Sequence, residues 1–283
     1  INDLHYCLSS VAPGELIRIV DDHIQRVMLV ENRRKALCSF EFAYFARPDS
    51  ILNGTHLYVY EIRRNFGKHL GRSCQENQTM NGPEVVIPIP ESANDAAYGF
   101  HEVTGLPLEQ ALRRHRYVTD RAFITTHKER GGILNKKINV LLNAISGKKI
   151  ALLDDSIVRG DTAKNVIRKM RAAGAKTISL YLTFPKIISP CFYGIDMATF
   201  SELIGATRSS AEIASIIGAD KVIYPALDEF IKAIGLHKSA LCLACVTGDY
   251  PTSLAQQLAD EQRMQFEQGT REAGRIYERS IHR

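Results

Sequence analysis

The sequence predicts an α/β fold in which a mostly parallel sheet is flanked by helices. Its clearest unit begins with a short apolar strand at 150–153, continues as a helical pattern of apolar residues over 163–173, and returns to a strand at 178–184. A second apolar run, 85–89, is also followed by a short polar loop and a helical pattern. Strands that are apolar throughout and alternate with helices are typical of a parallel sheet covered on both faces.

The composition of the 283-residue chain is that of an ordinary globular protein, with 45% hydrophobic and 24% charged residues. The net charge of +5 is modest and basic residues are scattered among acidic ones, so we expect a polyanionic small-molecule ligand and no nucleic acid. No apolar stretch is long enough to cross a bilayer and no signal-like segment opens the chain, which predicts no membrane association and a cytoplasmic location. The first residue is Ile1, which indicates a processed chain or a fragment.

From the N-terminus, residues 11–30 alternate apolar and polar side chains around a polar turn and predict a β-hairpin. Residues 55–73 predict a helix with a basic face, most simply a solvated surface, formed by Arg63, Arg64, Lys68 and Arg72. The C-terminal segment is helix-forming and mostly polar, so it could pack as a terminal helix or contact a neighbouring subunit. The chain thus divides into a short N-terminal β segment (1–30), a central domain (31–252) and a helical tail (253–283).

Residues 113–137 form a long basic stretch that contains glycines. A loop of this length inside a compact domain is uncommon unless it is functional or disordered. A lid and a solvated loop are equally compatible with the pattern itself. A polyanionic ligand would favour a lid that closes on it.

The loop at 154–162 carries the residues best suited to bind a ligand, because ligands of open α/β sheets bind beyond the carboxyl ends of the strands. Asp154 and Asp155 could accept hydrogen bonds from vicinal hydroxyls or help to hold a hydrated Mg²⁺, while the small and hydroxyl-bearing residues after them could surround a phosphate. A simple turn that caps the helix explains each residue singly, but it needs neither paired carboxylates nor an arginine. The loop therefore predicts a sugar-phosphate site.

The chain has six cysteines, too few for a disulfide scaffold at this length. Cys242 and Cys245 form a C-x-x-C pair, whose spacing suits metal or cluster ligation, thiol redox chemistry, or two ordinary free thiols. Ligation would require two further ligands, which the spacing alone does not identify.

The string LLDDSIVRGDTA (152–163) resembles the phosphoribosyl pyrophosphate (PRPP) signature of type I phosphoribosyltransferases. Further stretches resemble the glutamine PRPP amidotransferase family, in the family's order and over nearly the whole chain: CSFEFAYFARPDS, ESANDAAYGFHEVTGLP, RHRYVTDRAFI, SPCFYGIDM with ELIGA, and CLACVTGDYP. The resemblance implies the type I phosphoribosyltransferase fold and the first committed step of purine synthesis, in which ammonia displaces pyrophosphate from PRPP to give 5-phosphoribosylamine. It also implies a homo-oligomer with purine nucleotides as effectors.

The resemblance also implies roles for individual residues. Asp154 and Asp155, together with Ser92, match the family's Mg²⁺ and ribose positions, and Glu91 stands before Ser92 where the family usually has Asp. The family's PRPP 5′-phosphate loop is matched by Ser156, Ile157, Val158, Arg159, Gly160, Asp161 and Thr162.

Four cysteines match the thiolates that bind a 4Fe–4S cluster in the cluster-containing branch of the family: Cys38, Cys191, Cys242 and Cys245. The resemblance thus supplies the two ligands that the C-x-x-C pair lacks. A tetrahedral zinc ion would satisfy the same four sulfurs. Cys7 and Cys74 have no predicted role.

The chain departs from the family pattern in two places. The stretch 116–137 matches the family's flexible lid and keeps Arg121 and Lys137, which we predict to be catalytic with the aspartates, but it has Asn135 where arginine is expected. Residues 1–30 resemble only the last strands of the family's glutaminase half, so either the chain is a fragment or glutamine is not its nitrogen source.

Two alternative functions stay open from the sequence. The altered lid allows a PRPP-dependent transferase with another acceptor. A regulator that senses PRPP without turning it over belongs to a different class, but it would normally carry a DNA-binding module and a strongly basic face, and neither is visible in the sequence.

Overall fold

The structure is a computed structural model that describes residues 11–21, 23–28, 35–52, 54–80, 82–114 and 138–270. The strands in these residues are β1 (Glu15–Val20), β2 (His23–Met28), β3 (Leu37–Cys38), β4 (Val85–Pro88), β5 (Leu112–Arg114), β6 (Ile138–Val140), β7 (Lys149–Asp154), β8 (Thr177–Leu182), β9 (Lys221–Ile223) and β10 (Leu241–Cys242). The helices are α1 (Val59–Glu76), α2 (Asn94–Thr104), α3 (Leu142–Ile145), α4 (Asp161–Ala172), α5 (Ser210–Ile217), α6 (Leu227–Ile234), α7 (Ala244–Thr247) and α8 (Ser253–Glu267), with a π-helical turn at Glu41–Phe45 and a 3-10 turn at Lys238–Ala240.

The central sheet has the strand order β4–β7–β8–β9, and each neighbouring pair is parallel. In its register, Leu153 of β7 lies opposite Pro88 of β4 on one side and Tyr181 of β8 on the other. The carboxyl ends of these strands therefore meet at one edge. The predicted α/β fold with a mostly parallel sheet is confirmed.

Helices cover both faces of this sheet, which explains why β7 is apolar from Ile150 to Leu153. Ile150 and Leu152 belong to one buried cluster, and Ala151 and Leu153 belong to another. Successive side chains of a strand point to opposite faces, so each face takes alternate residues. Because neither face meets water, no polar residue interrupts the strand.

Helices α1 and α2 cross closely because each has a glycine at the contact. A Cβ on Gly67 would collide with the backbone of Ala96, and one on Gly99 would collide with the backbone of Arg64. Backbone atoms cannot rotate away as a flexible side chain does, so a larger residue fits only if a helix shifts. The crossing fixes the start of α2 and, with it, the loop that follows β4.

The basic face of α1 is less solvated than the sequence predicts. Arg63 is only 5% exposed, and its guanidinium donates hydrogen bonds to backbone carbonyls of the 41–46 segment at 2.8–3.0 Å. Arg64 and Lys68 form ion pairs with Glu102 of α2. The prediction of a solvated surface is wrong for Arg63, because the 41–46 segment packs over that side of the helix.

Shorter elements surround the central sheet. The predicted N-terminal hairpin is confirmed, since β1 and β2 pair antiparallel across a tight turn. Strands β5 and β6 pair antiparallel, and β3 pairs in parallel with β10. Within the described ranges, no helix is long and apolar enough to cross a membrane. The division of the chain at residues 30 and 252 stays a prediction.

Candidate active site and cysteine cluster

Two loops leave the carboxyl edge of the sheet side by side. The backbone N–H of Ile89, just after β4, donates to the carbonyl of Leu153 in β7 at 2.8 Å. The segment after β4 contains a cis peptide bond between Pro90 and Glu91 and leads into α2. The segment after β7 leads into α4. This is the edge at which ligands of open α/β sheets bind.

Asp154 ends β7 and Asp155 follows it, and the two residues are only 7% and 6% exposed. The N–H of Asp155 donates to Oδ1 of Asp154 at 2.9 Å, and the hydroxyl of Ser156 donates to Oδ1 of Asp155 at 2.6 Å. The side chain of Ser92, from the β4 loop, also hydrogen-bonds Asp155. The structure thus brings four of the predicted site residues into one hydrogen-bonded group.

Burial raises the pKa of both aspartate carboxyls, and the charge of Asp155 raises the pKa of Asp154 further. Hydrogen bonds from Ser156 and Ser92 and the guanidinium of Arg63 oppose the rise in the pKa of Asp155. Two carboxyls in a dry site resist carrying two negative charges until a cation or additional donors approach. The pair is therefore suited to receive hydroxyl groups or a metal ion.

The loop after the aspartates is held by apolar side chains. Ile157 is 5% exposed within the sheet core, Val158 packs against a second core cluster, and the carbonyl of Val158 accepts from the N–H of Ile204 at 2.9 Å. Gly160 has a φ of +92°, a left-handed conformation that favours glycine, and begins α4. Because the apolar side chains point into the protein, they leave the backbone and the polar side chains of the loop to meet a ligand.

Asp161 and Thr162 are exposed in the first turn of α4, where helical N–H groups have no acceptor within the helix. Arg159 instead forms an ion pair with Glu202 at 3.0 Å, so its guanidinium is directed to the protein in this conformation. Glu91 is exposed at the mouth of the other loop.

Tyr44 is a neighbour of the site that the sequence pattern does not mark. Burial raises the pKa of its phenol, and the charges of Asp155 and Asp154 add to this rise, so Tyr44 lies within electrostatic range of the carboxyl pair. Tyr44 lies in the stretch 38–50 that resembles the family, but no periodicity or spacing marks this tyrosine within it.

Arg121 and Lys137, with the rest of the predicted lid at 116–137, lie outside the described residues. The flanking strands are described, and Arg114 of β5 lies opposite Ile138 of β6. The charge of Arg114 partly opposes the rise in the pKa of Tyr44. The described residues that flank the segment are thus paired with each other, and Arg114 lies within electrostatic range of Tyr44.

The four predicted ligand cysteines converge in the structure. Cys38 and Cys242 are direct partners in the β3–β10 pair, and the N–H of Tyr193 donates to Sγ of Cys191 at 3.4 Å. Burial raises the pKa of Cys38 to about 11, and the thiols of Cys242 and Cys191 add to this rise. Burial and the other three thiols likewise raise the pKa of Cys245. Four thiols that are distant in sequence therefore lie within electrostatic reach of one another.

The convergence of these thiols does not by itself show that a metal ion or cluster is bound. Among the residues that the structure describes, no group of three or more His, Cys, Asp or Glu side chains is placed to hold a single metal ion. Cys74 is buried in a separate apolar cluster, and Cys7 lies outside the described residues.

Comparison with known proteins identifies the family. No family model matches the chain. The chain is 40% identical over 254 residues to the amidophosphoribosyltransferase of Methanothermobacter thermautotrophicus, an alignment that covers 90% of this chain and 52% of that protein. It is 37% identical over 256 residues to the Bacillus subtilis amidophosphoribosyltransferase, with coverage of 88% and 52%.

Solved structures give the same result. The glutamine PRPP amidotransferase of B. subtilis, complexed with ADP and GMP, superposes with a TM-score of 0.73 at 36% identity over 87% of this chain and 54% of that chain. A structure described as the allosteric regulatory enzyme of purine biosynthesis superposes with a TM-score of 0.73 at 37% identity over 87% and 52%. The chain spans about half the length of the relatives it matches. It therefore belongs to the amidophosphoribosyltransferase family and has its phosphoribosyltransferase-type α/β fold.

Proposed function

We propose that the chain transfers ammonia to C1 of PRPP, releasing pyrophosphate and giving 5-phosphoribosylamine, the first step of de novo purine synthesis. The observation that carries the proposal is the buried, hydrogen-bonded pair of Asp154 and Asp155 beside Ser92, at the carboxyl edge of a parallel sheet. The relatives' shared name, amidophosphoribosyltransferase, supports the same reaction.

In the proposed complex, the aspartates accept hydrogen bonds from the ribose hydroxyls. The C1–O bond to pyrophosphate breaks as the ammonia lone pair forms the C1–N bond, and C1 gains positive charge in between. Buried carboxylates stabilise such a charge more strongly than water does, because a dry site does not screen them. Ser92 and Ser156 donate to Asp155 and so fix its orientation before the substrate arrives.

We assign the remaining predicted residues to the two ends of PRPP. The loop from Ser156 to Thr162, including Gly160, would receive the 5′-phosphate through backbone N–H groups and hydroxyls, since anions bind readily at a helix start. Glu91 and Ser92 would lie on the pyrophosphate side. Ser92, Asp154 and Asp155 would hold a hydrated Mg²⁺, and their oxygen atoms suit this cation. Its charge would offset that of the leaving pyrophosphate.

We also propose that residues 116–137 form the lid, with Arg121 and Lys137 as catalytic groups that neutralise pyrophosphate. Supporting this role, the flanking strands β5 and β6 pair with each other, and Arg114 of β5 lies within electrostatic range of Tyr44. A closed basic lid would exclude water, which otherwise hydrolyses PRPP.

We propose that Cys38, Cys191, Cys242 and Cys245 bind a 4Fe–4S cluster with a structural role. Four converging thiols and an N–H donor to Cys191 fit such a group. Tetrahedral zinc needs its four sulfurs within about 4 Å of one another, because each lies about 2.3 Å from one ion. The four thiolates would hold a 4Fe–4S cluster without this close spacing, and among the described residues no three of them are placed to hold a single ion. The cluster would cross-link distant segments of the chain.

Purine nucleotides are the effectors that we propose, since the related B. subtilis enzyme was solved in complex with ADP and GMP. A homo-oligomeric state and a cytoplasmic location stay predictions. So does the origin of residues 1–30 as the end of a glutaminase domain.

The test is pyrophosphate release from PRPP and Mg²⁺, with either ammonium or glutamine as nitrogen donor. We expect turnover with ammonium that rises with pH as ammonium loses its proton, and no turnover with glutamine by residues 1–283, because hydrolysis of glutamine needs an activated nucleophile and none of the proposed site residues supplies one. Asp155→Asn should lower the rate at least about a hundredfold, whereas Asp228→Asn, at an exposed site on α6, should not.

Two outcomes would contradict this assignment. Turnover with glutamine equal to that with ammonium would show that the chain carries its own glutaminase site. Tight PRPP binding without turnover by either donor would favour another acceptor or the PRPP-sensing role.

A further inference from the structure

The C-terminal helix α8 packs directly on the cysteine cluster. Ala255 and Ala259 of α8 are each 3% exposed and form one apolar cluster with Ala244, which lies between the two cysteines of the C-x-x-C pair. Phe192 and Cys242 pack against the same cluster. The apolar side of this otherwise polar helix therefore packs against the region that carries the cysteines.

Hydrogen bonds hold the start of α8 to the segment that carries Cys191. The hydroxyl of Tyr250 donates to the carbonyl of Pro190 at 2.6 Å, immediately before Cys191. The backbone N–H of Thr252 donates to the hydroxyl of Tyr193 at 3.2 Å. These contacts place the first turn of α8 over one predicted ligand.

Arg263 makes the matching contact from the other end of the helix. Its Nη2 donates to Oγ of Ser189 at 3.4 Å, and its guanidinium carbon lies 5.0 Å from the ring centroid of Phe200. The backbone N–H of Ser189 in turn donates to the carbonyl of Cys245 at 3.1 Å. Arg263, an exposed arginine, thus joins α8 to Ser189, which lies two residues before Cys191 and hydrogen-bonds the backbone of Cys245.

We propose that α8 is a cover over the four-cysteine site and that Arg263 is the positioning residue that fastens it, an inference that deepens the proposed ligand role of the cysteines. The cover slows the access of solvent, oxidants and chelators to the sulfurs. Arg263 also brings a positive charge to this region. Its charge opposes the rise that burial, Cys191 and Cys245 cause in the pKa of the Tyr250 phenol.

The experiment compares Arg263→Met with wild type and with Glu261→Gln, a charge change at an exposed position of the same helix. The metal-free proteins are treated with iodoacetamide, and the labelling rate of each cysteine is read by peptide mass spectrometry. Cys74, which is buried under a different cluster, is the internal control.

We expect Arg263→Met to speed the labelling of Cys191 and Cys242 about two- to fivefold, the factor that corresponds to the loss of one cation–π contact at an exposed site. Labelling of Cys74 should not change, and Glu261→Gln should match wild type. Removal of a cation makes neighbouring thiols less acidic and slows alkylation. An acceleration therefore reports exposure rather than charge.

Unchanged labelling of the cluster cysteines in Arg263→Met would overturn the proposal, and so would an equal acceleration at Cys74, which indicates general loosening. Iron and sulfide analysis of protein purified without oxygen tests the cluster separately. If both are absent, the proposed cluster fails while the labelling still decides whether α8 is a cover. If both are present, Arg263→Met should also lose the cluster's absorbance in air faster than Glu261→Gln.

Discussion

Replacement of Asp154 by asparagine should lower activity and raise stability at the same time. Asparagine keeps the oxygen that accepts from the N–H of Asp155 at 2.9 Å, so the local hydrogen bond survives. It loses the negative charge that we propose to act on the developing charge at C1. Loss of one such contact typically costs about 3–4 kcal/mol in the transition state, or about a hundred- to a thousandfold in rate.

The change in stability has the opposite sign because the charge is buried. Burial raises the pKa of Asp154 in the folded state above its usual value of 3.8. The folded state therefore binds more protons than the unfolded state between pH 3.8 and the raised pKa, and the free energy of unfolding falls as the pH rises through that window. Above the window, wild type carries an unfavourable buried charge that the asparagine variant lacks.

Relief of burial is the larger source of the gain in stability, and relief of the repulsion between the two carboxylates adds to it. Two like charges a few ångströms apart in a protein interact by up to about 4 kcal/mol. A change of 1 kcal/mol moves Tm by about 2–4 °C in a domain of this size. We expect the ligand-free variant to melt a few degrees higher than wild type at pH 8 and the difference to shrink toward pH 4.

The assay combines calorimetric melting without ligands across this pH range with ammonium-dependent pyrophosphate release. Asp228→Asn, at an exposed aspartate in the first turn of α6, is the matched control; it should leave turnover unchanged and should not raise Tm, because an acidic residue at a helix N-terminus is stabilising. A lower Tm for Asp154→Asn at pH 8, or a Tm difference independent of pH, would refute the argument from the buried charge. Near-native turnover would refute the assignment of the site.

Three other substitutions test the structural claims. Cys38→Ser should abolish iron and sulfide binding and lower Tm in preparations made without oxygen; a full complement of iron would exclude this cysteine as a ligand. Gly99→Ala should destabilise the chain, because overpacking at the α1–α2 contact costs about 1–3 kcal/mol against a gain of about 1 kcal/mol in helix propensity; an unchanged urea midpoint would contradict the close crossing. Arg63→Met should cost about 1–3 kcal/mol for each buried carbonyl left unpaired, and a variant that unfolds at the same urea concentration as wild type would show that water or other donors replace the guanidinium.

The sequence by itself determined the architecture around the candidate site. Strand β7 could be predicted because the part of a strand that is buried on both faces must be apolar. Four consecutive apolar residues, Ile150 to Leu153, meet this requirement. The loop at 154–162 could be predicted because its aspartates, glycine and hydroxyls follow that strand directly. A local sequence pattern is sufficient to predict a site when one short segment contains both the buried strand and the polar residues that bind the ligand.

Only the tertiary structure decided which distant segments meet. The pattern of α1 places Arg63 on a polar face, and nothing local shows that the 41–46 segment covers it. Tyr44 comes within electrostatic range of the aspartates, and α8 packs against Cys242, although these residues are far apart in the chain. A hydrophobic period records which side of an element avoids water, but it does not record which partner provides the cover. The packing of the elements determines the partner, and it also determines which groups surround each charge and each thiol.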